Sequence, residues 1–433
     1  MRVILHPSAM GGVLQAPTSK SSMQRACAGA LLAGGETTII NAGRSNDDLA
    51  AMGVIEALGA RLSALDSKTL QIISHGVDPV SSEVNCGESG LGIRMFTPII
   101  ALSAKRMTIN GHGSLLSRPM NFFDEVLPKL GVEVASNKGR LPVTIQGPLH
   151  PKDIVIDGSL SSQFLTGMLF AYSASATEPA EITVRNLSSR PYIDLTLAVM
   201  EAFGLPLPVN TNYTHFYFPG AAAAISQAQR RIYQVEGDWS GAAFLLVAGA
   251  IAGELTIEGL MEDSVQADKA ILAALRLSGA ELSISKNQVR VARPMGTKLT
   301  GFEFDATDCP DLFPPLVALA AYAHGVTTIK GATRLTHKES NRAQTLQEEF
   351  SKMGIGIALQ GDIMKITGNS APRGSIVHSH NDHRIAMACT VAGLSATGDT
   401  IIDEAQVVGK SYPHFYEDLI FAGARLSQQG PVF

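Results

Sequence analysis

Apolar and polar positions along the chain follow a pattern that occurs six times. Each copy has a helix-like run that ends in glycine, then a short alternating strand, a polar turn and a second strand, except that the sixth copy, FAGARLSQQG, is cut short by the C-terminus. The six glycines are Gly59, Gly131, Gly204, Gly279, Gly354 and Gly423, separated by 72, 73, 75, 75 and 69 residues. Glycine commonly ends a helix with a left-handed backbone, so the even spacing indicates a structural repeat.

Two further segments precede each of these glycines. A nearly all-apolar helix comes first, followed by a strand rich in threonine and isoleucine, such as residues 37–40 and 254–257. The first helix, for example AAFLLVAGAIA at 242–252, is apolar on all sides and must be buried on all sides, whereas the helix before the glycine has a polar face. We therefore predict an α/β fold of βαβαββ-type units in which buried inner helices are enclosed by outer helices and sheets.

Six units are too many for one core, but three plus three would make two similar domains of ordinary size. The last unit lacks its terminal strand pair, and the strand-like segment 2–16 could complete it. The prediction is one domain formed by residues 1–18 and 235–433, with residues 19–234 inserted as a second domain. Two linkers would then join the domains and could act as a hinge.

Composition and charge narrow the classes of function. Hydrophobic residues make up 45% of the chain, and 34 Lys+Arg against 39 Asp+Glu leave a net charge of −5. No global positive field exists to attract nucleic acid or an anionic membrane. The apolar run before His6-Pro7 is too short for a signal peptide, and no run reaches the ~20 residues that span a bilayer.

The cysteines and the repeats complete this picture. The four cysteines are far apart and form neither a C-x-x-C pair nor a metal-ligand spacing with histidine. No spare apolar helix lies outside the repeats. We expect a cytoplasmic monomer without a metal ion, a cofactor, a nucleic-acid partner or a membrane partner.

Unusual polar residues fall at two equivalent places in the repeats, the entry to each buried helix and the loop before each outer helix. Equivalent loops lie at the same end of a domain, and helix N-termini attract anions. Eight cations occupy these places: Lys20, Arg25, Arg94, Arg118, Lys338, Arg342, Arg384 and Lys410. Their concentration in an acidic protein predicts a ligand with more than one phosphate or carboxylate.

Structural explanations compete with this interpretation. Serine and aspartate at helix starts are ordinary N-caps, so Ser161 or Asp238 alone indicates little. Unpaired charge beside a fully apolar helix is costly, which favours a function for the cations.

Other notable residues have a structural explanation. Pro314-Pro315 suits a first helical turn, and Trp239 is expected to pack in the core. The G-x-x-x-x-G-K-S/T motif does not occur, so no nucleotide cradle is indicated.

The chain resembles the enolpyruvyl transferases in motifs that run along nearly its whole length. These motifs are LQAPTSKSSMQRACAGALL, LLSRPMNFFDEVLPKLG, DGSLSSQFLTGMLFA, SSRPYIDLTL, VEGDWSGAAFLL, NDHRIAMA and VGKSYPHFYEDL. The resemblance implies two hinged domains, each an inside-out α/β barrel. It also implies transfer of the enolpyruvyl group of phosphoenolpyruvate to the 5-hydroxyl of shikimate 3-phosphate, with release of phosphate, in aromatic amino acid biosynthesis.

The same resemblance implies the site residues. Asp311 would be the base for the hydroxyl, Glu339 the acid that protonates C3 of phosphoenolpyruvate, and Lys20 would lie near the transferring proton; which of them moves which proton is left open. The shikimate 3-phosphate site would comprise Lys20, Ser21, Arg25, Ser161, Ser162, Gln163, Ser189, Tyr192, Asp311 and Lys338. The phosphoenolpyruvate site would comprise Lys20, Gly90, Arg94, Arg118, Gln163, Arg342, Arg384 and Lys410. The inserted domain would be the shikimate 3-phosphate side and the other domain the phosphoenolpyruvate side.

The sequence departs from the usual family pattern at four positions outside the motifs quoted above. Glu88 and Leu91 replace a common Asn and Thr, Asn341 replaces an acidic residue, and Arg334 stands where Asn is frequent. A carboxylate beside the phosphoenolpyruvate pocket should weaken anion binding unless a cation pairs with it. The affinity for phosphoenolpyruvate and the response to glyphosate therefore stay open.

Other functions remain as alternatives. The sister enzyme that acts on UDP-N-acetylglucosamine commonly has a reactive cysteine five residues before the Arg-Pro equivalent to Arg118-Pro119, where this chain has Gly113. A catalytically silent anion-binding homologue would be favoured if Lys20, Asp311 or Glu339 were absent, but all three are present. An RNA-end-modifying relative is disfavoured by the acidic charge balance.

Overall fold

The computed structural model describes residues 1–159, 161–220, 230–293, 296, 298–368 and 372–430. The chain divides into two compact units. The terminal unit comprises Met1–Ser19 and Glu236–Phe433, and the inserted unit comprises Lys20–Val235.

Across the described residues there are twelve α-helices, which alternate between inner and outer positions. They are α1 (Lys20–Ala33), α2 (Asn46–Ala57), α3 (Gly90–Ile100), α4 (Asn121–Val126), α5 (Ser162–Ser175), α6 (Arg190–Ala202), α7 (Trp239–Ala252), α8 (Ile271–Leu277), α9 (Phe313–Tyr322), α10 (Arg342–Lys352), α11 (His383–Gly393) and α12 (Phe415–Phe421). Short 3₁₀ helices lie at Gly113–Ser117, Leu127–Leu130, Ala267–Ala270, Pro310–Leu312, Ala332–His337 and Ala405–Lys410.

The strands of the inserted unit are β3 (Gly35–Ile40), β4 (Arg61–Ala64), β5 (Thr69–Ser74), β6 (Glu83–Asn85), β7 (Arg106–Asn110), β8 (Glu133–Ser136), β9 (Val143–Gln146), β10 (Ile154–Asp157), β11 (Ala180–Arg185), β12 (Val209–Thr211), β13 (His215–Phe218) and β14 (Arg230–Gln234). The strands of the terminal unit are β1 (Arg2–His6), β2 (Met10–Gln15), β15 (Gly253–Glu258), β16 (Glu281–Ser285), β17 (Gln288–Ala292), β18 (Glu303–Asp305), β19 (Gly325–Lys330), β20 (Gly356–Gln360), β21 (Ile363–Gly368), β22 (Ile376–His378), β23 (Thr400–Asp403) and β24 (Arg425–Gln429).

These strands form six four-stranded sheets with one common topology. The orders are β14-β3-β5-β4, β6-β7-β9-β8 and β10-β11-β13-β12 in the inserted unit, and β2-β15-β17-β16, β18-β19-β21-β20 and β22-β23-β1-β24 in the terminal unit. In each sheet the first pair is parallel and the other two pairs are antiparallel. The predicted α/β class with repeated βαβαββ-type units is confirmed.

Three strands lie outside the sequential order of the repeats. β1 completes the sixth sheet, where Ile4 lies opposite Ile401 on one side and Ser427 on the other. β2 begins the fourth sheet beside β15, and β14 begins the first sheet beside β3. The prediction that the sixth repeat lacks both of its terminal strands is wrong, because β24 is present. Only β1, which lies between β23 and β24, comes from the N-terminal segment.

The inner helices of each unit form its core. Every residue of α3, α7 and α11 is buried, as the absence of a polar face on these helices predicts. Trp239 at the start of α7 is fully buried, in agreement with a packing role. The six repeat glycines all have left-handed backbones, with φ between 68° and 107°. Within the described ranges, no helix combines the length and apolar character needed to cross a membrane.

Candidate active site

In the terminal unit, Asp311 forms ion pairs with three of the predicted site cations. It lies in the 3₁₀ turn Pro310–Leu312 directly before the buried helix α9. Its Oδ1 accepts hydrogen bonds from Lys338 Nζ at 3.3 Å and from Arg342 Nη1 at 2.9 Å, and its Oδ2 accepts from Arg384 Nη2 at 3.3 Å. Lys338 and Arg342 belong to one segment at the start of α10, Arg384 lies on α11, and Asp311 precedes α9, so the cluster is a product of tertiary packing.

Arg342, the first residue of α10, links three carboxylates. Its Nε and Nη2 donate to the two oxygens of Asp382 at 3.0 and 3.1 Å, and Nη2 also donates to Glu339 Oε2 at 2.6 Å. With the bond to Asp311, the guanidinium therefore contacts both predicted catalytic carboxylates of this unit. The Arg342 side chain is completely buried, and such a planar donor fork holds the carboxylates in a defined geometry.

The charges in this cluster shift one another's pKa values. Burial by itself would raise the pKa of Asp311, but Arg384, Lys338 and Arg342 outweigh it and hold that pKa well below its usual range. Burial lowers the pKa of Lys338, with Asp311 acting in the opposite direction. Asp311 is consequently ionised at neutral pH, and Lys338 holds its proton less tightly than an exposed lysine does.

Lys410 contacts the turn that precedes α11. Its ammonium donates to the backbone carbonyl of Asn381 at 2.7 Å. The next residue, Asp382, caps α11 by accepting from the backbone N–H of Arg384 at 3.0 Å. This single turn therefore connects Lys410, Arg384 and, through the Asp382 carboxylate, Arg342.

Asp268 is a buried acid that the sequence reasoning missed. Its carboxylate accepts a hydrogen bond from the Ser240 hydroxyl at the start of α7. Burial first, and then the charge of Asp311, raise the pKa of Asp268 to about 6. A signal was available, because Asp268 lies in the 3₁₀ turn directly before the outer helix α8, a place where other repeats carry unusual polar residues.

In the inserted unit, Lys20 and Arg25 lie on α1. Lys20, the first residue of the helix, forms an ion pair with Asp47, with Nζ 2.9 Å from Oδ2. Arg25 is 1% exposed. Its guanidinium donates to the Ser21 carbonyl at 2.9 Å and to the Tyr192 carbonyl at 3.2 Å, and burial lowers its pKa to about 10. Arg25 thus ties the start of α1 to the start of α6.

A second group of predicted residues meets where α3 begins. Arg94 Nη1 donates to Gln163 Oε1 at 2.9 Å. A Cβ added to Gly90 would lie 2.2 Å from Arg118 Nη1 and 3.2 Å from Arg94 Nη1, so only a residue without a side chain lets both guanidinium groups approach this helix start. The arrangement leaves two cations beside a helix N-terminus, which is a favourable environment for an anion.

The predicted serines lie at helix starts. Ser161 caps α5 through a hydrogen bond from the Gln163 backbone N–H to its hydroxyl at 3.2 Å, and Ser162 is the first residue of that helix. Ser189 precedes α6 with a left-handed backbone, φ 58°. These positions agree with a role as ordinary caps and also place hydroxyl groups beside free helical N–H groups.

Glu88 contacts the loop that contains Gly113. Its Oε2 accepts a hydrogen bond from the Ser114 backbone N–H at 3.0 Å. A Cβ added to Gly113 would lie 2.2 Å from Glu88 Cδ. The unusual carboxylate therefore fills the space that any side chain at position 113 would need.

Comparison with known proteins identifies the family. The model of the family described as EPSP synthase (3-phosphoshikimate 1-carboxyvinyltransferase) matches residues 4–419. The chain belongs to the EPSP synthase family. It is 33% identical to the 3-phosphoshikimate 1-carboxyvinyltransferase of Clostridium novyi, over 98% of this chain and 97% of that protein. It is 37% identical to the enzyme of the same name from Thermococcus kodakarensis, over 94% of this chain and 96% of that protein.

Solved structures support the same assignment. An EPSP synthase from Acinetobacter baumannii superposes with a TM-score of 0.82 at 26% identity, covering 99% of this chain and 100% of that one. The enolpyruvyl transferase NikO from Streptomyces tendae, at 18% identity and a TM-score of 0.79, shares the fold. The resemblance to the enolpyruvyl transferases and the two-domain inside-out α/β fold are confirmed.

Proposed function

We propose that two sets of residues, one in each unit, carry out the reaction of the EPSP synthase family in this chain. The chain is an enzyme of the shikimate pathway. It transfers the enolpyruvyl group of phosphoenolpyruvate to the 5-hydroxyl of shikimate 3-phosphate and releases phosphate. The assignment of individual residues to this reaction is the proposal.

One observation supports this assignment of residues most directly: Asp311 forms ion pairs with Lys338, Arg342 and Arg384. Within the terminal unit these cations are balanced by protein carboxylates, and an anionic substrate offers them an additional partner. Arg342 and Arg384, together with Lys410, bind phosphoenolpyruvate through its carboxylate and phosphate groups.

Substrate binding also prepares the two carboxylates for proton transfer. Asp311 is ionised, the form a base requires, but its low pKa makes it a weak one. When anionic phosphoenolpyruvate screens Arg384 and Arg342, the pKa of Asp311 rises and the carboxylate can accept the proton of the 5-hydroxyl. Glu339, which accepts a hydrogen bond from the same Arg342, takes up a proton before it donates one to C3.

The inserted unit contributes a second set of anion-binding groups. Arg94 and Arg118 at the start of α3 bind phosphoenolpyruvate, with Gly90 providing the space and Gln163 orienting Arg94. The remaining residues of the set bind shikimate 3-phosphate: Lys20, Ser21, Ser161, Ser162, Ser189 and Tyr192, which Arg25 supports from the core. Lys338 and Asp311 of the terminal unit belong to the same substrate set, as the family resemblance implies.

The same proposal has the enzyme act as a cytoplasmic monomer. Its four cysteines, Cys27, Cys86, Cys309 and Cys389, are buried and free, which fits a reducing compartment.

Phosphate release from the purified protein tests the function. The protein is given phosphoenolpyruvate with shikimate 3-phosphate and, separately, with UDP-N-acetylglucosamine, with no metal or nucleotide added. Release with shikimate 3-phosphate alone is expected. Release with the nucleotide sugar alone would instead identify the chain as the sister enzyme that acts on UDP-N-acetylglucosamine. Release with neither substrate would favour a catalytically silent anion-binding homologue.

Three alanine variants test the residue assignment. Lys20→Ala, Asp311→Ala and Glu339→Ala should each lower kcat by at least about 100-fold while the circular dichroism spectrum stays unchanged. Ser22→Ala is the matched control, since its hydroxyl bonds the Tyr233 hydroxyl at 2.9 Å and has no assigned role in catalysis. Wild-type rates in the first three variants would refute the assignment.

A further inference from the structure

The turn between β22 and α11 has an unusual backbone. Its consecutive residues His380 and Asn381 both adopt left-handed conformations, with φ of 52° and 57°. Residues other than glycine persist in this conformation only when the surrounding structure holds them there. Histidine and asparagine tolerate this conformation better than most residues, and two of them in succession make a turn whose position depends on the groups that hold it.

The position of this turn matters for the site. The Asn381 carbonyl receives the Lys410 ammonium, and the Asp382 carboxylate accepts from Arg342 and from the Arg384 backbone N–H. A displaced turn would therefore move the three terminal-unit cations that we assign to phosphoenolpyruvate.

Glu349 holds the turn from the opposite side. This side chain on α10 is fully buried, and its Oε1 lies 2.6 Å from His380 Nε2. Its Oε2 accepts from the His378 backbone N–H at 2.9 Å. Because an ionised carboxylate can only accept, His380 Nε2 carries the hydrogen of the first bond. Burial would raise the pKa of Glu349, but Lys352, the His378 N–H and His380 together lower it, so the carboxylate is ionised.

α10 therefore contacts the turn through two carboxylate-centred networks. Its first residue, Arg342, binds Asp382, and Glu349, about two helical turns further on, binds His378 and His380. The left-handed residues 380 and 381 lie between His378 and Asp382, the outermost residues that α10 holds. The spacing along one rigid helix fixes the turn at both ends.

We infer that Glu349 is a positioning residue for phosphoenolpyruvate, acting through the 378–382 turn on Lys410, Arg342 and Arg384. The inference rests on the proposed function, because that function assigns these cations to phosphoenolpyruvate. Glu349 is not among the residues assigned to substrate binding or proton transfer, so it would act through the residues that the turn holds.

A bound metal ion would be a different use of the same residues. Ligand atoms of Glu348, Glu349 and His380 lie within 4.8 Å of one another. However, the Lys352 ammonium lies 2.7 and 2.9 Å from the two oxygens of Glu349 and 3.8 Å from Glu348. The lysine already supplies the positive charge that a metal ion would bring, so the cluster is a structural anchor.

The other titratable groups beside the turn are His378, His380 and Glu404. The rings of His378 and His380 meet edge to face with centroids 4.9 Å apart. His378 Nε2 lies 3.5 Å from Glu404. Glu349 is thus the buried acid that joins this group to α10.

The test is the steady-state kinetics of Glu349→Gln, which preserves the shape of the side chain and removes its charge. KM for phosphoenolpyruvate should rise on the order of tenfold, while KM for shikimate 3-phosphate and kcat stay within about twofold. Glu348→Gln is the matched control: it is the adjacent carboxylate, it is 58% exposed, and it should leave all three parameters unchanged.

His380→Gln tests the anchor from the side of the turn, and it serves if Glu349→Gln fails to fold. It should raise KM for phosphoenolpyruvate in the same selective way. In the double variant, KM for phosphoenolpyruvate should rise no more than in the more affected single variant, because both changes act on the same Glu349–His380 bond. An active wild-type enzyme whose variants keep the normal KM for phosphoenolpyruvate, or whose effects add, would overturn this inference alone. A wild-type protein without turnover would instead contradict the proposed function.

Discussion

The guanidinium of Arg342 donates to both carboxylate oxygens of Asp382, at 3.0 and 3.1 Å, and neither side chain is exposed to solvent. Removing one partner of a buried ion pair leaves the other charge desolvated and poorly compensated. Arg342 also contacts Asp311 and Glu339, so this pair stabilises the fold and sets the geometry of the candidate site at once.

Asp382→Asn should therefore lower the free energy of unfolding by about 3 kcal/mol or more, measured by urea denaturation. Asp399→Asn is the control, since Asp399 is about half exposed and pairs with His6 on the surface, where an ion pair contributes about 1 kcal/mol or less. Equal losses in the two variants would contradict a special role for the buried pair.

Asp48 should make the stability of the protein depend on pH. Burial raises the pKa of this carboxyl to about 7, although Ser45 donates hydrogen bonds to it. Between about pH 4 and pH 7 the folded state then binds more protons at this site than the unfolded state, so its contribution favours folding at low pH and declines as pH rises.

The advantage of the wild type over Asp48→Asn in free energy of unfolding should thus shrink between about pH 5 and pH 8. Urea denaturation of both proteins at the two pH values measures it. Asp66→Asn provides a comparison, because the pKa of exposed Asp66 is lowered, chiefly by the Lys68 backbone N–H, and no change in this interval is expected. A constant difference for Asp48→Asn would refute the prediction.

Two glycines inside helices should respond in opposite ways to alanine. A Cβ at Gly167 of α5 would lie 2.4 Å from the Met95 carbonyl of α3, whereas a Cβ at Gly53 of α2 would meet nothing within 4 Å. Gly167→Ala should destabilise the protein by about 1–3 kcal/mol through overpacking. Gly53→Ala should stabilise it by about 0.5–1 kcal/mol through helix propensity. Thermal unfolding measures both, and shifts of the same sign would be inconsistent with the helix packing described.

Glu88 and Gly113 should show coupled effects on stability. Gly113→Ala introduces a Cβ 2.2 Å from Glu88 Cδ at a residue with φ of 58°, and should cost about 1–3 kcal/mol. In the Glu88→Ala background the cost should be smaller, because the colliding carboxylate is gone while the backbone strain remains. A double-mutant cycle of urea denaturation measures the difference. Full additivity would show that the two residues do not contact each other.

The repeats were predictable because their signals are local. A glycine at a helix end and an apolar helix record backbone conformation and burial within a few residues of themselves, and all six glycines and all six inner helices occur where the pattern predicts them. The prediction for the sixth repeat was partly wrong because a short strand such as β24 shows little alternation of apolar and polar residues. Its partner β1 also lies more than 400 residues away in the sequence.

Only the tertiary structure decided which charges meet. The sequence marks Lys338, Arg342 and Arg384 as unusual cations, but their convergence on Asp311 depends on loops from separate repeats. Asp268 and Glu349 lie in none of the family motifs, and although the position of Asp268 in its repeat was a signal, only the packing of the helices shows that both carboxylates are buried. The physical reason is that helix and strand periodicity is a property of neighbouring residues, whereas the energy of a buried charge is set by whichever distant groups the fold brings within a few ångströms of it.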